Sequence, residues 1–222
     1  MAEVKVEYLD GEQETTSFIS RPGLARVTYP NGDVYEGPFD ERKLKHGLNA
    51  KYTFASAEED GEESQAVTYE GEYRDGSRTG VGKMTYADGT VYRGEFKQGF
   101  RHGKGSYTYA NDDIYSGEWQ NDKRHGQGTY LHKKSACRLD AYWYDGSPVE
   151  GDFMHPDGTK YAANFVDADF RGKCRISFPS GMDLRGEFFD SLAGGNKQVC
   201  WRPLDFRGPA KISNASMTRL IN

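Results

Sequence analysis

Tyr92, Gly94 and Phe96 alternate with Arg93 and Glu95, and Gly103, Gly105, Tyr107 and Tyr109 alternate with Lys104, Ser106 and Thr108. A period of two with aromatic residues and glycine on one side and charge on the other predicts two β-strands, each half-apolar. Gln98-Gly99 between them reads as a tight turn, and Ala110-Asn111-Asp112 leads onward; the matching Ala87-Asp88-Gly89 is a stronger turn signal. The unit is therefore a β-hairpin, and it recurs. Tyr69-Glu70-Gly71-Glu72-Tyr73, Tyr92-Arg93-Gly94-Glu95-Phe96 and Tyr115-Ser116-Gly117-Glu118-Trp119 start 23 residues apart. Gly80-Val81-Gly82, Gly103-Lys104-Gly105 and Gly126-Gln127-Gly128 keep the same phase.

A repeat of this length predicts a linear array. The fold class expected is all-β: an elongated, single-layer antiparallel meander of hairpins. The phase continues through Tyr161 and through Leu184-Arg185-Gly186-Glu187-Phe188, with Arg138 in the intervening slot and Gly151 and Gly158 in step. Upstream, Tyr35-Glu36-Gly37-Pro38-Phe39 is a copy followed by an 11-residue insertion, and Gly23, Ala25 and Gly32 read as half of an earlier one. Phe206-Arg207-Gly208 echoes Phe170-Arg171-Gly172. The expected organisation is a degenerate N-terminal cap over residues 1–22, an array over 23–213 with an acidic loop near 55–66, and a tail over 214–222. At strand spacing, about eight units make a sheet roughly 75 Å long.

Glycine inside a strand normally weakens it. Gly71, Gly94 and Gly117 share a face with tyrosines and phenylalanine, so each is read as a socket over which a ring lies flat. This predicts an aromatic face of Tyr69, Tyr73, Tyr92, Phe96, Tyr107, Tyr109, Tyr115, Trp119 and Tyr130, left as an open groove that binds partners. The structural glycines are Gly71, Gly94, Gly117, Gly103, Gly105, Gly126 and Gly128. The opposite face, with Glu70, Glu72, Arg93, Glu95, Lys104 and Glu118, is expected to be solvated.

Composition agrees with a thin sheet. Only 36% of the 222 residues are hydrophobic, while 27 glycines and 15 tyrosines stand out, and the net charge of −5 comes from interspersed charges. That balance gives nucleic acid or an anionic membrane no foothold. Cys137, Cys174 and Cys200 are odd in number and widely spaced, which points to a reducing compartment. The N-terminus lacks a signal-peptide pattern, and Asn214-Ala215-Ser216 is read as an idle glycosylation match.

At these words the chain resembles the MORN repeat family, whose pattern is Tyr-x-Gly-x-Trp/Tyr/Phe, a turn, then Gly-x-Gly. The resemblance spans about residues 12–213 and is most specific over 69–131. Asn111 to Trp119 followed by Arg124 to Leu131 is similar to the MORN proteins of the ciliary radial spoke head. This resemblance implies a non-enzymatic scaffold in the axoneme of motile cilia and flagella, a cytoplasmic structure. Its implied partners are other spoke-head proteins, a second MORN protein or itself, with indirect contact to the central-pair apparatus. The alternative is a membrane-proximal tether or a regulatory module of a lipid or protein kinase complex. The family's glycine slots hold Ala25, Asp140, Ala163 and Cys174 here, so regular sheet is expected to fail first at 1–22, 138–150 and 190–205.

No catalytic, cofactor or metal site is expected. Gly80-Val81-Gly82-Lys83 lacks the upstream glycine and following hydroxyl of a phosphate loop. His46, His102 and His125 recur once per hairpin, too far apart to share a metal, and are read as turn residues. Glu72, Glu95 and Glu118 form a ladder and not an acid/base pair. Lys123-Arg124-His125 and Lys133-Lys134 are read as part of a solvated face, and Ala57 to Glu63 as a solvated acidic loop.

Overall fold

The computed structural model describes residues 3–11, 15–55, 66–166, 169–193 and 196–207. The acidic stretch 57–63, the echo beyond Arg207 and the tail 214–222 lie outside the described residues.

The described residues form one 17-stranded sheet. It opens with β1 (Lys5–Tyr8), β2 (Thr15–Thr16), β3 (Gly23–Thr28), β4 (Val34–Phe39) and β5 (Gly47–Thr53). The regular hairpins follow: β6 (Thr68–Arg74) with β7 (Ser77–Thr85), β8 (Val91–Lys97) with β9 (Phe100–Thr108), and β10 (Ile114–Gln120) with β11 (Lys123–Leu131). The array ends with β12 (Arg138–Tyr144), β13 (Ser147–Met154), β14 (Lys160–Val166), β15 (Asp169–Ser177), β16 (Asp183–Ala193) and β17 (Asn196–Arg207). β1 lies between β2 and β3, and from β3 onward each strand pairs antiparallel with the next. The meander is thus all-β, open and unbroken.

Two turn types alternate. Within a hairpin, Gln98-Gly99 has φ of 51° and 89°, and Asp75-Gly76 and Asp145-Gly146 match it. Two successive left-handed residues make the primed turn whose twist suits paired strands. Between hairpins, the Gly89 amide donates to the Tyr86 carbonyl and the Tyr86 amide to the Thr90 carbonyl, closing a three-residue loop on a left-handed Gly89.

Register places every slot of the word. Tyr69, Met84, Tyr92, Tyr107, Tyr115, Tyr130, Leu139, Phe153, Tyr161, Ile176 and Leu184 stand side by side across the sheet. Beside that row runs a row of small residues through Gly71, Gly82, Gly94, Gly105, Gly117 and Gly128. It continues through Ala141, Gly151, Ala163, Cys174 and Gly186.

This register corrects one assignment. Leu139 and Ala141, not Arg138 and Asp140, take the tyrosine and glycine slots of the fifth word. The loop from His132 to Cys137 is one residue longer than the corresponding Tyr109 to Asp113 loop, judged by its closing hydrogen bond. The bulge in β13 is one residue shorter, because Trp143 pairs with Pro148 and Tyr142 with Glu150. Insertion and deletion cancel, so Gly151 returns to phase. The stretches expected to lose regularity instead carry β1, β12, β13 and β16–β17. Phe206 pairs with Leu184, whereas Phe170 pairs with Phe165, so the C-terminal echo is not a structural equivalence.

Candidate interaction surface

The tyrosine and glycine rows form one device repeated along the sheet. A Cβ added to Gly94 would stand 2.6 Å from the Tyr92 hydroxyl oxygen, and one on Gly105 would stand 2.5 Å from a Tyr92 ring carbon. Neither distance is tolerable, so both glycines are sockets, and the ring they seat is Tyr92, two residues before Gly94 and on the strand beside Gly105. The hydroxyl reaches past the socket and donates to the carbonyl of Glu95 at 2.9 Å. Tyr35, Tyr69 and Tyr115 donate in the same way to Pro38, Glu72 and Glu118 at 3.0, 2.9 and 3.0 Å. Each such bond contributes about 1 kcal/mol and leaves no buried hydroxyl unmet.

The rings also lock to one another. Tyr92 meets Phe96 of its own word at 5.1 Å and 89° and Trp119 of the next at 5.3 Å and 79°. Tyr69 bridges Tyr73 and Phe96, and Tyr115 bridges Trp119 and Trp143. Edge-to-face pairs add about 0.5–1.5 kcal/mol each beyond burial. The result is a dry interior inside a single layer: Tyr69, Tyr92 and Tyr115 are 0% exposed, and Tyr73, Phe96 and Trp119 are 5% exposed. These six residues are core, so the expected open groove is closed over them. Burial pushes the Tyr69 phenol up to about 12, and those of Tyr92 and Tyr115 upward as well.

Tyr107, Tyr109 and Tyr130 remain half-buried. With Tyr86 they form a continuous strip: Tyr86 meets Tyr107 at 5.9 Å between centroids, Tyr107 meets Tyr109 at 4.7 Å, and Tyr109 meets Tyr130 at 5.4 Å. Their hydroxyls are committed to the turns: Tyr107 to Thr90 at 2.7 Å, and Tyr130 to Asp113 at 3.0 Å. Burial tends to raise the carboxyl of Asp113. Hydrogen bonds from the Lys133 amide, the Tyr130 hydroxyl and the Asn111 side chain outweigh that and hold it below the ordinary range.

Sequence reasoning missed the cations in this face. Arg78, Arg101 and Arg124 are 23 residues apart and stand opposite the last aromatic of each word. The Arg101 guanidinium lies 4.6 Å from the Trp119 ring and 5.4 Å from Tyr107. That of Arg124 lies 4.2 Å from Trp143. Lys45 takes the earlier slot among Tyr29, Tyr35, Tyr52 and Tyr73, 4.4 Å from Tyr52. Burial lowers its ammonium. Arg124 is therefore not part of a solvated basic cluster, although its neighbour Lys123 is exposed and pairs with Asp145. The spacing of the arginines was visible, but nothing in a residue's immediate neighbours shows that it lies over a ring on an adjacent strand. Between Arg101 and Arg124 a cavity of about 250 Å³ opens onto Tyr107, Tyr109 and Trp119.

The other candidates resolve into structure. Gly103 has φ of 61° at a bulge, and a Cβ there would stand 2.5 Å from the Glu95 carboxylate. That carboxylate accepts the Lys104 amide freed by the bulge at 2.9 Å. Glu118 reaches Gln127 in the same way at Gly126, so the glutamate ladder plugs bulges. His102 and His125 lie within β9 and β11 rather than in turns. Asp40, His46 and Asp75 bring ligand atoms within 4.8 Å of one another. The Arg42 guanidinium contacts both carboxylates and occupies the place a cation would take. Cys137, Cys174 and Cys200 are free thiols, and burial pushes Cys174 up to about 11.

The MORN repeat family matches residues 69–91, 92–114 and 115–134. These are the three regular hairpin units, and the geometry above extends the same slots through strands on both sides of them. No curated protein matches the chain. A MORN array on an all-β sheet is a repeat scaffold, a module of protein interaction or membrane association.

Proposed function

We propose that this chain is a non-enzymatic scaffold subunit of the ciliary radial spoke head, held in the axoneme by contacts with other spoke-head proteins. The observation that carries the protein-binding part is the half-buried strip of Tyr107, Tyr109 and Tyr130 beside Arg101 and Arg124, opening on the cavity between them. Amphipathic rings and planar guanidinium groups are the side chains that anchor protein interfaces. The spoke-head assignment rests on the resemblance of Asn111–Trp119 and Arg124–Leu131 to that branch of MORN proteins. A protein partner is favoured over a membrane because the net charge is −5 and several exposed bases are committed locally: Lys123 to Asp145, Arg138 to Asp140 and Lys160 to Asp152. Fractionation of demembranated axonemes tests the reading. The protein is expected to stay with the axoneme and co-purify with spoke heads. Complete release by mild detergent, or retention in axonemes that lack spoke heads, would refute it.

A further inference from the structure

The residue after the last aromatic of each word points away from the aromatic face. In the first four words it is Asp40, Arg74, Lys97 and Gln120. In the last three it is Tyr144, Val166 and Phe189. Register places these three on β12, β14 and β16, following Trp143, Phe165 and Phe188 of the core face. They are 63%, 54% and 37% exposed. Tyr142, in the slot that holds Glu72, Glu95 and Glu118 elsewhere, is 38% exposed on the same side, and Val149 at the shortened bulge is 42% exposed. On the outer face the last three units thus align a row of exposed apolar side chains, whereas the regular units carry Val81 and Phe100 as separate exposed side chains among charged ones.

We infer that this outer row is a self-association surface that seats the same row of a second copy of the chain. Two observations select that occupant. First, four ion pairs flank the row: Arg138 with Asp140 at 2.8 Å, Lys160 with Asp152 at 2.6 Å, Arg171 with Asp190 at 3.0 Å and Arg202 with Glu187 at 2.5 Å. A patch with paired charges offers no attraction to a strongly acidic or basic partner, but it is compatible with itself. Second, the row has the right size and symmetry. Its members lie on alternate strands, about 10 Å apart, with Val166 at the centre. A two-fold axis parallel to β14 through Val166 sets Tyr144 of one copy against Phe189 of the other, the self-complementary arrangement of an isologous dimer. The apolar area on offer is on the order of 400 Å², taking about 200 Å² for a whole aromatic ring. Stable dimers bury about 800 Å² per partner with a core about 65% apolar, so the row can form that core and the ion pairs its rim.

Sedimentation equilibrium of the full chain between about 1 and 100 µM tests the inference. The parent protein is expected to be in concentration-dependent monomer–dimer exchange. Tyr144→Lys with Val166→Lys should weaken dimerisation at least about tenfold. Lys97→Ala, in the same slot of a regular unit, should leave it unchanged. Strand circular dichroism should match the parent and the unfolding midpoint should lie close to it, because both side chains are more than half exposed and Tyr144 gives up a ring contact with His125 at 5.7 Å. If the double variant loses strand signal, Val166→Thr alone carries the test with the same two outcomes. A parent that is monomeric throughout, or a folded variant that dimerises like the parent, would overturn the inference. The row faces away from Tyr107 and Tyr109, so loss of spoke-head binding by substitutions there leaves dimerisation as an independent readout.

Discussion

A Cβ on Gly117 would stand 2.6 Å from the hydroxyl oxygen of Tyr115 and 2.7 Å from the carbonyl of Gln127. The tyrosine ring occupies the volume that any other residue at 117 would need, and its hydroxyl is anchored one residue further on. Gly117→Val should therefore displace the ring and destabilise by about 1–3 kcal/mol, despite valine's better strand propensity. Damage in a linear array stays near its source, so hydrogen exchange should accelerate in β9 to β12 before the outer strands. Glu118→Gln keeps an oxygen to accept the bulge amide and should change stability by less than about 0.5 kcal/mol. Unchanged protection of residues 100–144 in the valine variant would refute the socket.

Arg124→Ala should cost about 2 kcal/mol, because it removes the cation over Trp143 and two bonds to the Gly146 carbonyl, at 3.1 and 2.6 Å. Arg124→Lys should recover only part, since an ammonium lacks the planar fork. Urea denaturation measures both. An alanine variant within about 0.5 kcal/mol of the parent would return Arg124 to the solvated face.

Alkaline titration should unfold the sheet. The Tyr69 phenol is raised to about 12 by burial, and those of Tyr92 and Tyr115 are also raised. Between about pH 10, where an unfolded tyrosine titrates, and the higher folded values, the folded chain keeps protons that the unfolded chain has lost. Stability from this source is complete below pH 10 and falls as pH rises. Tyrosinate absorbance should therefore appear in step with loss of strand circular dichroism. Full ionisation of the tyrosines near pH 10 with the sheet intact would contradict the burial.

Binding to anionic liposomes at physiological salt should be weak or absent. Net charge is −5, and the exposed bases named above already have carboxylate partners. Tight co-sedimentation at that ionic strength would favour the membrane-tether reading over the spoke-head one.

The hairpin, its turns and the glycine sockets were legible because each is set by local sequence at a fixed period. Gln98-Gly99 can hardly be read otherwise, and a glycine between Tyr92 and Phe96 invites a ring. Three features escaped, each decided by register across strands. Leu139 and Ala141 were misaligned because spacing alone does not show that an inserted turn residue is offset by a lost bulge residue. Arg101 lies over Trp119 only because β9 and β10 pair as they do. Tyr92 became core, and not groove, because the next word's Trp119 closes over it, which a one-unit reading of the strand does not contain.

The turn amides carry a consequence of another kind. The Gly99 amide donates to the Arg78 carbonyl, Asp122 to Arg101, and Gly146 to Arg124, at 2.9, 3.1 and 3.0 Å. Each of these hairpin tips is thus latched through its turn amide to the hairpin before it, so the ribbon has a polarity that its strand order does not reveal. Trimming it from the C-terminal side leaves a last arginine with nothing to hold and every remaining tip still fastened. Trimming it from the N-terminal side leaves a leading tip unfastened, so shortening from the two ends is unequal work, and fraying should run inward from the N-terminal cut.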